Sequence, residues 1–208
     1  TTTERRTTTT DARPATVALG RIADGNRLLM IGDSILASTA ERYTNEMCYS
    51  LVSLGWAVEI DAETGQTVEF GSEVLDARLR SGWDAAVVFL GNNYTSEPQL
   101  FAGEMRRIVE RLTPRPIVLV TVSEYDRRQV EVNYILRSLA SEYEDVRIVD
   151  WAAYTGANDD LTVGDGLHPT DEGRQVLVSL ISSALGRAPR DTDWRASCLP
   201  TQFTDDTN

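Results

Sequence analysis

From residue 27 onward, short runs of apolar, β-favouring residues alternate with stretches whose apolar positions step by three and four. The runs at 28–31, 56–60, 85–90, 117–122 and 146–150 are nearly continuous in hydrophobicity, which marks strands covered on both faces. After the first run, Ala40, Tyr43, Met47, Leu51 and Leu54 keep a helical step up to a glycine stop at Gly55, predicting one helix from Ser34 to that point. Further helices are predicted over 73–79, over 98–112 behind Pro98, and over 129–143. A longer polar loop is predicted from the fifth strand to Asp165, and the last helix starts after Pro169. Thr170 is its N-cap, Asp171 and Glu172 suit its first turn, and Val176, Leu177, Leu180, Ile181 and Leu185 face inward until Gly186 ends it. Alternation of this kind predicts an α/β fold, a three-layer α/β/α sandwich around a five-stranded parallel sheet.

Composition narrows the class. With 208 residues, 41% of them hydrophobic and 25% charged, the chain fits one domain, predicted over 26–187. Residues 1–25 begin TTTERRTTTTDARPAT, without periodicity, and read as a Thr-rich linker; residues 188–208 read as a surface-lying tail. The net charge is −12 and every cationic residue is arginine, with no basic stripe, which excludes nucleic acid and anionic membranes as expected partners. No apolar run approaches the roughly 20 residues needed to cross a bilayer, and the chain as given reads as soluble. A Thr/Pro tether beside a globular domain favours an extracytoplasmic setting. Cys48 and Cys198 leave two readings open: a disulfide tying the tail to an early helix, or two unpaired thiols.

The chemistry gathers at one edge. Ligands of open α/β sheets sit beyond the C-terminal ends of the strands, and here Ser34 follows the first strand, Gly65 the second, Asn93 the third and the Asp165–His168 stretch the fifth. A serine hydroxyl needs a neighbouring base to become a nucleophile, and His168, the sole histidine, is the natural one. Asp165, three residues earlier, is placed to orient the imidazole. The Asn93 side chain with the backbone N–H groups of Gly65 and Ser34 would stabilise an oxyanion. Asp33, Tyr94 and Tyr125 at the same edge are candidates to touch substrate, whereas Glu124, Asp126, Arg127 and Arg128 read as the solvated start of a helix. Trp56, Trp83 and Trp151 read as packing, and Asn93-Tyr94-Thr95 also spells a glycosylation sequon. The acidic pairs Asp159-Asp160 and Asp205-Asp206 and the stretch Asp191 to Asp193 lack His or Cys company, so neither metal nor cofactor is expected.

Gly32-Asp33-Ser34-Ile35, Gly65, Gly91-Asn92-Asn93 and Asp165-Gly166-Leu167-His168-Pro169 together resemble the four ordered blocks of the SGNH (GDSL-type) serine hydrolases, over roughly 27–186. The resemblance implies a flavodoxin-like sheet and esterase, lipase, carbohydrate-deacetylase or acyltransferase chemistry. It implies Ser34 as nucleophile, His168 as base, Asp165 as its acid, and Ser34, Gly65 and Asn93 as the oxyanion hole. Gly71 is a rival for the second block. Where the third block usually reads Gly-x-Asn-Asp, Tyr94 stands in place of the last Asp, which questions how that loop is braced. The Gly-Asn-Asn form with Asp150-Trp151 also looks like SGNH domains attached to membrane acyltransferases, implying a tether to a membrane domain outside this chain. The expectation is a serine esterase for small acyl esters, such as O-acetyl groups on cell-envelope carbohydrate. The alternative is a non-catalytic glycan- or protein-binding module on the same fold; a nucleotide binder is disfavoured because no phosphate-cradling glycine loop follows the first strand.

Overall fold

A computed structural model describes residues 18–190, 192 and 194–204. The expectations for residues 1–17 and for the acids at 191, 193, 205 and 206 lie outside the described residues. The strands are β1 (Arg27–Gly32), β2 (Ala57–Ala62), β3 (Ala85–Phe89), β4 (Ile117–Val120), β5 (Val146–Val149) and β6 (Ser197–Cys198). They form one parallel sheet in the order β5-β4-β3-β1-β2-β6. The helices are α1 (Ser34–Ala37), α2 (Glu46–Ser53), α3 (Glu69–Arg78), α4 (Pro98–Leu112), α5 (Arg128–Glu142), α6 (Trp151–Ala157) and α7 (Asp171–Leu185).

Right-handed crossovers decide the layers. The step from β1 to β2 runs one way across the sheet, and those to β3, β4 and β5 run the other. Helices α2 and α7 therefore pack together on one face, while α3, α4 and α5 pack side by side on the opposite face. Each residue of β2, β3 and β4 is buried, as expected where helices cover both sides; β3 and β4 are wholly apolar, whereas β2 also buries Glu59 and Asp61. Trp56, Trp83 and Trp151 lie in the core, in agreement with the packing reading.

Four expectations need correction. The sheet has six strands, because the tail does more than lie on the surface: Ser197 and Cys198 pair with Ala57 and Val58. Two residues carry no period, so this strand leaves no mark in the pattern. It is held from both sides. Cys198 is disulfide-bonded to Cys48 of α2 across 150 positions, which resolves the two cysteine readings. Beyond it, the buried Asp61 carboxylate accepts hydrogen bonds from the Thr201 hydroxyl and from the amides of Gln202 and Phe203, and Phe203 meets Phe70 edge-on at 5.6 Å.

Second, the helix expected from Ser34 to Leu54 is broken into α1 and α2. Ser38 and Thr39 turn their hydroxyls back onto the carbonyls of Ile35 and Leu36, and Asn45 adopts a left-handed conformation before α2 restarts. Side-chain oxygens competing for the backbone at that point overrule the apolar step. Third, the linker boundary falls too late. Leu19 is buried in the core and Leu19–Arg21 form a short 3-10 turn against the end of α7. Fourth, the loop after β5 contains α6, capped by Asp150, whose carboxylate accepts from the Ala153 amide.

Candidate active site

Between β1 and β3 the strand order reverses, and the crevice above their C-terminal ends is where a doubly wound sheet holds its ligand. Ser34 opens α1 directly above β1. Its Oγ lies 3.4 Å from His168 Nε2, and His168 Nδ1 lies 2.7 Å from Asp165 Oδ2. Residues 134 positions apart thus stand in the line serine, imidazole, carboxylate. The loop that carries the last two folds on itself: the second Asp165 oxygen accepts from the amides of Leu167 (2.8 Å) and His168 (3.0 Å). Gly166 allows this turn with φ +69, where a larger residue would be strained. Partial burial pushes the Asp165 carboxyl up, but the His168 hydrogen bond and those two amides outweigh it and bring it down to about 2. An ionised carboxylate on Nδ1 fixes the tautomer that leaves Nε2 facing Ser34 as acceptor. Both side chains sit on an open rim, 46% and 47% exposed.

Asn93 is half-buried and its Nδ2 donates to the Gln66 carbonyl at 3.0 Å, which joins the loop after β3 to the loop after β2. Gly65 sits exposed in that second loop with φ +78 and space around it. Gly71, its rival, is inside α3 and packed so closely on Ile108 that a Cβ would come within 2.4 Å of it; its role is helix packing.

Two of the candidate substrate contacts are buried. Asp33 is wholly enclosed, its carboxylate bonded to Ile35 N (3.1 Å), to Asn92 N (3.3 Å) and to Asn92 Nδ2 (2.9 and 3.0 Å). Tyr94 is buried edge-on against Phe101 with its hydroxyl 2.5 Å from Glu131 Oε2; burial, then Glu131, pushes its phenol up to about 12. Tyr94 thereby braces the loop onto α4 and α5, which answers the question raised by the missing Asp. Tyr125 does reach the rim, 38% exposed, yet its hydroxyl donates to the Asn92 carbonyl at 2.7 Å.

Three residues escaped the sequence reading. Asn92 donates to the Asp33 carboxylate, Gln129 donates to the Asn92 carbonyl at 3.4 Å, and Ser123 donates to the Gly166 carbonyl at 3.0 Å. The stretch after β4 therefore ties the Asn92–Asn93 loop to the Asp165–His168 loop. Asn92 carried a signal, as the middle residue of the third block; Ser123 and Gln129 carried none.

A hydroxyl, an imidazole and a carboxylate in line form an arrangement suited to acyl transfer. The chain belongs to the GDSL-like lipase/acylhydrolase family, whose model matches residues 30–176. Membership places it among enzymes that hydrolyse or transfer acyl esters, and the matched span holds Ser34, Gly65, Asn93, Asp165 and His168. Among solved structures, TesA is similar at 19% identity and TM-score 0.64, covering 77% of this chain and 98% of that one. The C-terminal catalytic domain of Streptococcus pneumoniae peptidoglycan O-acetyltransferase A is similar at 18% identity and TM-score 0.60, covering 79% and 99%. A Clostridium thermocellum family 3 carbohydrate esterase is similar at 12% identity and TM-score 0.61, covering 77% and 94%. At such identities the likeness is one of fold. No curated protein sequence matches the chain.

Proposed function

We propose that the protein is a serine esterase that works through an acyl-enzyme on Ser34. His168 takes the hydroxyl proton as Oγ adds to the ester carbonyl, then returns it to the departing alcohol. Asp165 holds the ring and stabilises the imidazolium. The N–H groups of Ser34 and Gly65 with Asn93 Nδ2 receive the oxyanion, and water, or a sugar hydroxyl in a transferase variant, takes the acyl group from Ser34. The observation that carries this reading is the continuous line from Ser34 Oγ to His168 (3.4 Å) and on to Asp165 (2.7 Å).

The favoured substrates are small acyl esters, above all O-acetyl groups on cell-envelope carbohydrate. The rim is open, with Asp165 and His168 about half exposed, so an ester borne on a bulky chain can approach it. Solved structures of similar fold include, by their own descriptions, a carbohydrate esterase, a two-domain esterase active on acetylated mannans and a peptidoglycan O-acetyltransferase domain. An extracytoplasmic location, with a tether toward a membrane domain, fits the Thr-rich segment and the disulfide, which persists in oxidising compartments. Among the described residues no helix is long and apolar enough to cross a membrane. The alternative, a purely binding module, drew on Tyr94 in place of the usual Asp and on the tether; Tyr94 packed on Phe101 and bonded to Glu131 supplies another brace for that loop and speaks against the first motive.

Incubation of wild type and Ser34→Ala with p-nitrophenyl acetate and a fluorophosphonate probe tests the reading. Wild type turns over ester and is labelled; the variant does neither. Equal turnover and equal labelling of the two would remove the serine mechanism.

A further inference from the structure

Asp33 stands next to the candidate nucleophile, and capping α1 is the first role its carboxylate suggests. One acceptor suffices for that. A neutral serine or asparagine caps a helix as well as aspartate does, without taking a charge out of water. Here the carboxylate is fully buried and accepts from uncharged donors: Ile35 N makes the cap, and the remaining bonds all come from Asn92, through its backbone N–H and its side-chain Nδ2. The Asp33 backbone N–H donates to Phe89 O at 3.3 Å, the last residue of β3, just before the same loop. Asn92 is buried too, and its carbonyl is held by Tyr125 and Gln129. Its Oδ1 has no partner among the described residues, so the side chain is there for what its amide donates. Asn92, the residue that leads into Asn93, is thus fastened at its N–H and at its carbonyl, and the N–H is fastened to the residue preceding Ser34.

We propose that Asp33 is a positioning residue: its buried carboxylate clamps Asn92 so that the nucleophile turn and the Asn93 loop keep one fixed mutual geometry. The proposal rests on the serine-esterase reading above. It predicts that releasing the clamp weakens transition-state stabilisation while substrate binding is hardly touched.

Three variants separate clamp from cap. Asp33→Ser keeps a capping oxygen but cannot reach Asn92; Asp33→Asn keeps the shape and the cap but turns an amino group toward the Asn92 donors; Asn92→Ala removes the other half. Each is expected to lower kcat on p-nitrophenyl acetate by about 100-fold, the scale of losing one oxyanion donor, with KM nearly unchanged. The double variant Asp33→Asn/Asn92→Ala should be no worse than the poorer single one, because both break one unit. Hydrogen exchange supplies a readout independent of turnover: the Asn92 and Asn93 amides should exchange about tenfold faster in both Asp33 variants, with β3 amides unchanged. Wild-type kcat in Asp33→Ser, losses that multiply in the double variant, unaltered exchange at Asn92, or losses accounted for by unfolded protein would each overturn the clamp. Absence of turnover in wild type would instead defeat the esterase reading, and the exchange measurement would still decide the clamp.

Discussion

Two aspartates flank the Ser34 hydroxyl, and their surroundings drive them in opposite directions. Asp33 lies sealed beneath it. Burial is the largest influence there, and although Asn92 and Ile35 donate to the carboxylate, it is pushed up from its ordinary 3.8 to about 6. Asp165 lies on the rim, where the hydrogen bond from His168 and two backbone amides overcome a desolvation that acts the other way, and the carboxyl falls to about 2. The same side chain is sealed among amide donors in one place and stands ionised against an imidazole on the rim in the other. Environment, not residue type, divides the labour.

The comparison fails most visibly if the rim aspartate proves dispensable. Asp165→Asn leaves the shape but presents the wrong partner to His168 Nδ1, and kcat should drop by about 10³–10⁴-fold with little change in stability. Steady-state kinetics and chemical denaturation check both halves, and a loss of less than about tenfold would show that the imidazole is oriented by something else. Next comes a control on the part of the molecule that holds neither aspartate. Replacing both Cys48 and Cys198 by serine opens a closure of 150 positions and should cost about 2–5 kcal/mol, read by urea unfolding, with kcat per folded molecule retained. Loss of activity in the folded fraction would mean the tail reaches into the site.

The pH dependence of stability separates the two carboxyls by sign. Asp33 binds a proton more tightly folded than unfolded, so its contribution to stability declines as pH rises from about 4 to about 6 and is level above that. Asp165 behaves inversely: what it contributes is present above its ordinary value near 3.8 and is lost as pH falls toward about 2. Denaturation curves of wild type and Asp33→Asn between pH 4 and 7 should therefore diverge with pH by about 1–3 kcal/mol. Parallel curves would contradict the shift assigned to Asp33. The smallest effect is expected from Tyr94→Phe, which removes the bond to Glu131 but keeps the ring on Phe101: about 1 kcal/mol by thermal or urea unfolding, with kcat within about threefold.

What could be read in advance was whatever short-range pattern and scarce residue types record. Continuous apolar runs announced the first five strands, and the lone histidine three residues after an aspartate singled out His168 and Asp165. Contacts between distant segments were not legible. Gln129 meets Asn92 across 37 positions and Ser123 meets Gly166 across 43, and neither residue differs locally from any polar residue after a strand. Asp33 and Tyr94 were assigned to the rim because they adjoin residues that are there; their side chains turn inward, which adjacency in the chain does not encode. Strand β6 escaped for a related reason, since two residues acquire strand geometry only through β2 and the bond to Cys48.

The parallel direction of β6 also decides from which side the domain can be gripped. Chain entering through Leu19 and Arg27 does so at the end of the sheet remote from Ser34, whereas Thr204 bridges Ala62 beside the crevice. A bead, fluorophore or fusion joined ahead of residue 18 leaves the mouth of the enzyme pointing outward, while one joined just past residue 204 crowds its doorway.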